Sequence, residues 1–220
     1  MTVVRVKPEM IREWRTTYKN QVIPRYKRGG VPSFAVWRTS PFGDNYEFLM
    51  MSRIANLGQF DVGDPLWKAM PTIDRRRTAI TLDKCVAGVS SIGLLSQPDI
   101  SVMKQGIPLP PLILFQTVSV SPRNISSYLT FLQNEVKPVM EKSGVDIWLV
   151  YRHVFGSDGY QITTVRSLKN YAELDTGPLA AQVLGPQQAV ILAAKNDQLV
   201  ESSRIVVGQY ERDLSYGPMF

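Results

Sequence analysis

Val4-Arg5-Val6-Lys7-Pro8 near the start of the chain is matched, 114 residues further on, by Val118-Ser119-Val120-Ser121-Pro122. Working outward from that pair, the same offset keeps finding partners. Asn20-x-Val22-x-Pro24 meets Asn134-x-Val136-x-Pro138, and Gly30-Val31 meets Gly144-Val145. Val36-x-Arg38 meets Val150-x-Arg152, Asp44-x-Tyr46 meets Asp158-x-Tyr160, and Asn56, Asp61 and Gly63 meet Asn170, Asp175 and Gly177. The register still closes at Pro98-Asp99-Ile100-Ser101 against Arg212-Asp213-Leu214-Ser215. Comparing residues 2–63 with 116–177 gives 17 identities in 62 positions, where composition alone would give about 4. One unit is written twice, and self-similarity of this kind sets the fold before any local reading does.

Each copy reads β-α-β-β-α-β. The first strand is Val3–Lys7, or Leu112–Val120 in the second copy, rich in β-branched residues. Met10, Trp14, Tyr18, Val22 and Tyr26 then recur every four residues, as Ile125, Leu129, Leu132, Val136 and Met140 nearly do, which predicts helices with one apolar stripe. Gly29-Gly30 and Gly144 stop them, and Pro24 and Pro138 predict that their last turns kink or tighten. Strand two is Ser33–Thr39 and Asp146–Val154. Asp44-Asn45 and Ser157-Asp158-Gly159 turn the chain into strand three, Tyr46–Ser52 and Tyr160–Val165. A second helix follows Asp64-Pro65 and Gly177-Pro178, interrupted by Pro71 and by Gly185-Pro186; strand four is Val86–Leu95 and Val200–Gln209. The expected organisation is a first half over 1–101, a Pro-rich linker over 102–113, a second half over 114–215 and a tail over 216–220.

A unit of this order is a ferredoxin-like sheet with both helices on one face. Strand two is apolar on both of its faces, Phe34 and Val36 alternating with Ala35 and Trp37, and Trp148 and Val150 with Leu149 and Tyr151. A face open to water would alternate apolar with polar. The expected fold class is therefore α+β, two ferredoxin-like repeats forming a single-chain dimeric α+β barrel in which each copy covers the other's bare face.

The order Val6-Lys7-Pro8, helix, Gly30, Ala35-Val36-Trp37, Gly43-Asp44-Asn45-Tyr46 and Ile54-Ala55-Asn56-Leu57 resembles the NIPSNAP-like branch of the dimeric α/β-barrel superfamily. The resemblance spans the first copy and, more faintly, the second, where Tyr151 replaces Trp37. It implies the fold more than a chemistry, because the superfamily holds cofactor-free monooxygenases, haem-degrading and chlorite dismutase-like haem proteins, small isomerases and members with no assigned reaction. Its haem-binding members take the proximal histidine from a helix, a pattern from which the strand residue His153 departs.

Composition narrows the functions. Hydrophobic residues make up 44% and charged ones 20%, an ordinary globular balance, and no apolar run approaches a membrane span. No signal peptide is visible, so a cytoplasmic protein is expected, with a periplasmic or secreted one as the alternative if a signal was removed. Cys85 is the lone cysteine and His153 the lone histidine, so no disulfide, no structural metal and no tightly bound haem or other cofactor is expected. The net charge of +6 is spread along the chain, with short runs only at Arg25-Tyr26-Lys27-Arg28 and Arg75-Arg76-Arg77, and no nucleic-acid motif accompanies it.

Candidate site residues follow from strand position. Arg38 and Arg152 end apolar strands and could aim a donor fork at an anion, or else pair with Asp44 and Asp158. Arg5 breaks the Val4/Val6 alternation on the barrel side, where Glu47 or an anionic ligand would partner it. Trp37 and Tyr151 could wall a flat pocket. His153, present in one copy only, is a candidate general base if catalytic, and a partly exposed structural residue otherwise. Two functions stay open. One is an enzyme or binder acting on a small aromatic or anionic molecule, cofactor-free and monooxygenase- or isomerase-like. The other is a non-catalytic scaffold that self-assembles into a homo-oligomer, for which an exposed apolar tail, Leu214 to Phe220, would serve as partner surface.

Overall fold

In the computed structural model, which describes residues 1–39, 41–61, 63, 70–157 and 159–218, strand β1 (Thr2–Val6) leads into helix α1 (Ile11–Thr17). A π-helical stretch, Tyr18–Val22, joins α1 to α2 (Ile23–Arg28). Pro24 has no N–H, so the ladder cannot continue evenly through it; the Ile23 N–H reaches back five residues to the Tyr18 carbonyl instead. Strands β2 (Phe34–Thr39) and β3 (Glu47–Ser52), helix α3 (Thr72–Cys85) and strands β4 (Val86–Ser91) and β5 (Gly93–Ser96) complete the first repeat.

After a two-residue strand β6 (Val102–Met103), the second repeat runs β7 (Leu112–Val120), α4 (Ile125–Phe131), a π-helical stretch Leu132–Val136 and α5 (Lys137–Lys142). Then come β8 (Ile147–Phe155), β9 (Gln161–Leu168), α6 (Ala172–Asp175), α7 (Leu179–Leu184), α8 (Pro186–Leu199) and β10 (Val200–Tyr210). Both π-helical stretches and both 14-residue helices, α3 and α8, start 114 positions apart. Gly30 and Gly144 both take positive φ, 80° and 73°, as helix-ending glycines. Asp64-Pro65, Asp158 and Met219-Phe220 lie outside the described residues.

The chain forms two compact units, Met1–Ser91 with Gln209–Phe220, and Ile92–Gly208. In the first, the strand order is β4-β1-β3-β2, with the Gln209–Tyr210 end of β10 beside β2. Its core packs Val4, Val6, Phe34, Val36, Phe48 and Met50 against Trp14, Tyr18, Val22 and Ile23 of the helices. In the second, the order is β10-β7-β9-β8-β5, with β6 also on β8. Val118, Val120, Trp148, Val150 and Ile162 meet Tyr128, Phe131 and Leu132 there.

The repeats divide the sequence at 101 and 114; the compact units divide it elsewhere, because the end of each repeat docks on strand two of the other. In the second unit, Gln97 N–H donates to the Val150 carbonyl at 2.9 Å, and Val150 N–H donates to Ser101 Oγ at 2.9 Å. The Ser101 hydroxyl itself donates to the Gln97 carbonyl at 2.8 Å. In the first unit the same three bonds recur 114 residues on: Glu211 N–H to Val36 O at 2.9 Å, Val36 N–H to Ser215 Oγ at 2.9 Å, and Ser215 Oγ to Glu211 O at 2.8 Å. Val102 then pairs with Trp148, as Tyr216 does with Phe34.

Two expectations change. The tail is not an exposed apolar flag. Leu214 is buried in the first unit's core, and Tyr216 stacks on Phe34, donates its hydroxyl to the Val31 carbonyl at 3.1 Å and lies under Lys27. Gly217, at φ +72°, passes so close to Pro32 that a Cβ would strike its carbonyl oxygen. The 102–113 segment is also more than a linker. β6 occupies its start, β7 begins at Leu112, and Lys104 is bonded to Gly144 O and Asp146 Oδ1, each at 2.7 Å. Replacing Leu214 with alanine should cost about 2–5 kcal/mol of stability, read as a lower urea midpoint at unchanged m-value; a loss below about 0.5 kcal/mol would mean that the tail is not part of the core.

Candidate functional site

Strand alternation sorts side chains onto two faces. In the second unit Trp148 and Val150 of β8, Ile162 of β9, and Val118 and Val120 of β7 face the helices and form the core there. The odd positions look the other way. Ile113, Phe115, Ile147, Leu149 and Val165 make the apolar half of that face, all buried. The other half is polar: Thr117 pairs with Thr163 and Ser119 with Gln161 across β7 and β9, and Tyr151 pairs with Thr163 across β8 and β9.

His153 follows Tyr151 on this face, flanked by β9 and by Leu94 of β5. It is buried, at 7% exposure, where partial exposure was expected. The strands pack closely here: a Cβ on Gly93 would come within 2.9 Å of the Phe155 ring. His153 Nε2 lies 2.7 Å from Thr163 Oγ1, which lies 2.8 Å from Thr117 Oγ1. Its other ring nitrogen, Nδ1, is buried with no hydrogen-bond partner among the described residues. The tautomer that leaves no N–H without an acceptor carries the proton on Nε2, donating to Thr163, and a lone pair on Nδ1. Burial pushes the imidazole pKa below its ordinary value, because desolvation penalises the cation; Gln161, on the same face, draws it partly back without making a hydrogen bond of good geometry to Nδ1. The ring is neutral near pH 7, with one nitrogen available to accept a proton.

At the equivalent positions the first repeat carries Val3, Arg5, Trp37, Thr39, Glu47 and Leu49. Arg5 Nε sits 3.3 Å from Glu47 Oε2; the carboxylate is fully buried and the arginine side chain 61% exposed. Glu47 is the partner that the chain itself supplies to Arg5. Trp37 is fully buried, its ring 5.9 Å from that of Tyr210. Arg5 and Trp37 thus share one face in the first unit, and Tyr151 and His153 share the corresponding face in the second.

Arg38 and Arg152 do not join them, being on the opposite parity. Arg152 is exposed. Arg38 Nε lies 3.3 Å from Glu211 Oε1, at an angle too poor for a hydrogen bond, and Nη2 donates to Gln209 Oε1 at 3.4 Å. Glu211, not Asp44, is its partner, and that carboxylate also holds Arg15 at 2.7 Å. From the basic runs, Arg25 bonds Gln21 O and Arg75 bonds Met70 O within the first unit. Among the described residues no three His, Cys, Asp or Glu side chains group as metal ligands, and no helix is long and apolar enough to cross a membrane.

Sequence reasoning missed Thr117 and Thr163, ordinary strand residues taken singly. The signal lay in the repeat: Val3, Leu49 and Thr39 of the first copy become Thr117, Thr163 and His153 in the second. Three divergent positions meet in one hydrogen-bonded chain.

No family profile and no curated protein matches this sequence. Solved structures do match its fold. A protein from Lactobacillus acidophilus described provisionally as a monooxygenase superposes with a TM-score of 0.61 at 10% identity, over 98% of this chain and 93% of its own. An anthrone oxidase-like protein gives 0.62 at 11%, over 96% and 90%. A second provisional monooxygenase, from Fusobacterium nucleatum, gives 0.62 at 10%, over 99% and 96%. The fold class is α+β, two ferredoxin-like repeats in a single-chain version of the dimeric α+β barrel.

With one histidine in the chain, an NMR titration of the imidazole carbon-bound protons reads this site alone. Folding favours the neutral ring, so the midpoint should fall below about 6.5, the ordinary histidine value. The stability contributed by the depressed pKa is then present above about pH 6.5 and lost as pH falls through the folded-state midpoint. A midpoint at or above 6.5 would contradict the buried, neutral assignment.

Proposed function

We propose that this chain is a small-molecule enzyme that removes a proton from an acidic C–H or O–H of an aromatic or anionic compound, using His153 Nδ1 as the base. The observation that carries this reading is the orphaned, buried Nδ1 on a ring whose other nitrogen is anchored to Thr163. Burying a polar atom without a partner costs free energy, and such sites need a reason. His153 stands two residues from the exposed Phe155 at the end of its strand, so a substrate would come in from that end of the sheet.

Proton transfer to Nδ1 makes an imidazolium whose Nε2–H stays on Thr163. The substrate anion then has two outcomes. It takes a proton at another carbon, an isomerisation, or it reacts with dissolved dioxygen. For a CH2 beside a carbonyl the second course ends with one oxygen atom on the carbon as a new carbonyl, while the other leaves with both hydrogens as water. The provisional monooxygenases and the anthrone oxidase-like protein of the same fold support the oxidative course. Within the superfamily we place the chain in a tandem NIPSNAP-like branch, on the Val6-Lys7-Pro8 and Gly43-Asp44-Asn45-Tyr46 patterns.

The alternative, a self-assembling scaffold, draws support from the exposed Val190 and Ile191 side by side on α8, 68% and 50% accessible.

Anthrone under air is a suitable first substrate, followed with an oxygen electrode. Oxygen uptake above the buffer rate is expected, reduced about 10²- to 10⁴-fold in His153→Gln, the usual worth of a general base. Uptake at the wild-type rate in a folded His153→Gln protein would remove His153 from the chemistry. If no oxygen is consumed and light scattering shows a homo-oligomer that Val190→Glu dissolves, the scaffold reading holds instead.

A further inference from the structure

The second unit carries a cleft of 370 Å³ on the helix side of its sheet, away from the His153 face. Three separated segments build it: the Ile107–Pro111 stretch, the turn after α5, and the end of β9 with the α6–α7 region. Its volume is that of a small-molecule site. The walls contributed by Ile107, Leu109, Leu168 and Leu179 are apolar, and Pro108, Pro110 and Pro111 offer no N–H to a ligand.

Two cations line this cleft without an ion pair among the described residues, the exposed Lys169 and the half-buried Arg166. Arg166, on β9, is half-buried and lines it, and its side chain has neither a hydrogen bond nor an ion pair within 4 Å among the described residues. A guanidinium stays protonated in proteins, so its charge must be met somehow. Burial lowers its pKa and the field of Glu173 raises it again in part. The two carboxylates of the cleft are committed elsewhere. Asp146 takes Lys104 Nζ at 2.7 Å, and Glu173 accepts the Lys169 backbone N–H at 3.1 Å. With Asp146 neutralised by Lys104, the charge of Glu173 disfavours a dianion such as phosphate, whereas a monoanion balances the half-buried Arg166 and leaves the exposed Lys169 to solvent.

We propose that this cleft binds an amphipathic monocarboxylic acid, its carboxylate held by the Arg166 fork and its apolar body lying along the Ile107–Pro111 wall. Arginine suits the task because its planar fork meets both carboxylate oxygens at once. The site is independent of the His153 chemistry: it lies on the other face of the sheet and would exist in an enzyme or in a scaffold.

Isothermal titration with sodium octanoate and with octanamide, its uncharged counterpart, tests this. Octanoate should bind wild type at least about tenfold more tightly than octanamide, as expected for a hydrogen bond to a charged group. Arg166→Gln should lose that preference, while Arg152→Gln keeps it. If Arg166→Gln does not fold, amide shifts on octanoate addition to labelled wild type decide: changes concentrated at Gly144, Lys169 and Thr176 support the site. No binding, equal binding of the two probes, an unchanged preference in a folded Arg166→Gln protein, or shifts elsewhere would each overturn it.

Discussion

A strand that ends with unpaired N–H groups is a liability, and two serines remove it on strand two of each repeat, where the end of the other repeat docks. Ser101 and Ser215 each accept a hydrogen bond from a valine N–H of strand two, Val150 and Val36, and each donates its own hydroxyl to a carbonyl four residues back. The valine N–H groups lie deep in the sheet, where an unmade bond costs about 1–3 kcal/mol. Each serine belongs to one repeat and each valine to the other. Neither repeat is therefore complete alone: residues after Ile92 finish the unit built on β8, and residues after Gln209 finish the unit built on β2.

That exchange leaves the two copies free to diverge where they are no longer needed for closure. Gln97 and Glu211 occupy the same clamp position, yet only Glu211 adds a carboxylate for Arg15 and Arg38. On the face opposite the helices, the first copy holds the Arg5–Glu47 pair at the positions where the second has Ser119 and Gln161, themselves bonded at 3.3 Å. Only the second copy assembles Thr117, Thr163 and His153 into a chain that ends on an unfilled nitrogen. A duplicated scaffold with one chemically distinct half matches the proposed single reaction centre.

Much of the fold was legible because proline, glycine and asparagine tolerate little substitution of backbone geometry. Pro24 and Pro138 announced a distortion, and both copies answer with a π-turn at the same register. The clamp itself was visible as Ile100-Ser101 against Leu214-Ser215, though its partners were not, since pairing between distant strands leaves no local trace. Composition misjudged the tail: Leu214 and Tyr216 look like exposed apolar residues until their docking site is known. At the candidate site, alternation gave the face of His153 but not its depth. Arg38 followed the strand pattern yet was claimed by Glu211, 173 residues away in sequence. Arg166 had no signature at all, because its cleft exists only where three remote segments meet.

The reciprocal exchange is tested most directly by dividing the chain between Ile107 and Pro108, outside every strand and helix, and producing the two pieces together and apart. Each compact unit then needs a segment from the other piece. Together they should elute as one 1:1 complex of intact-protein size, with native near-ultraviolet circular dichroism and protected amides at Val36 and Val150. Two pieces that fold separately into stable monomers, with those amides protected in each piece alone, would contradict it.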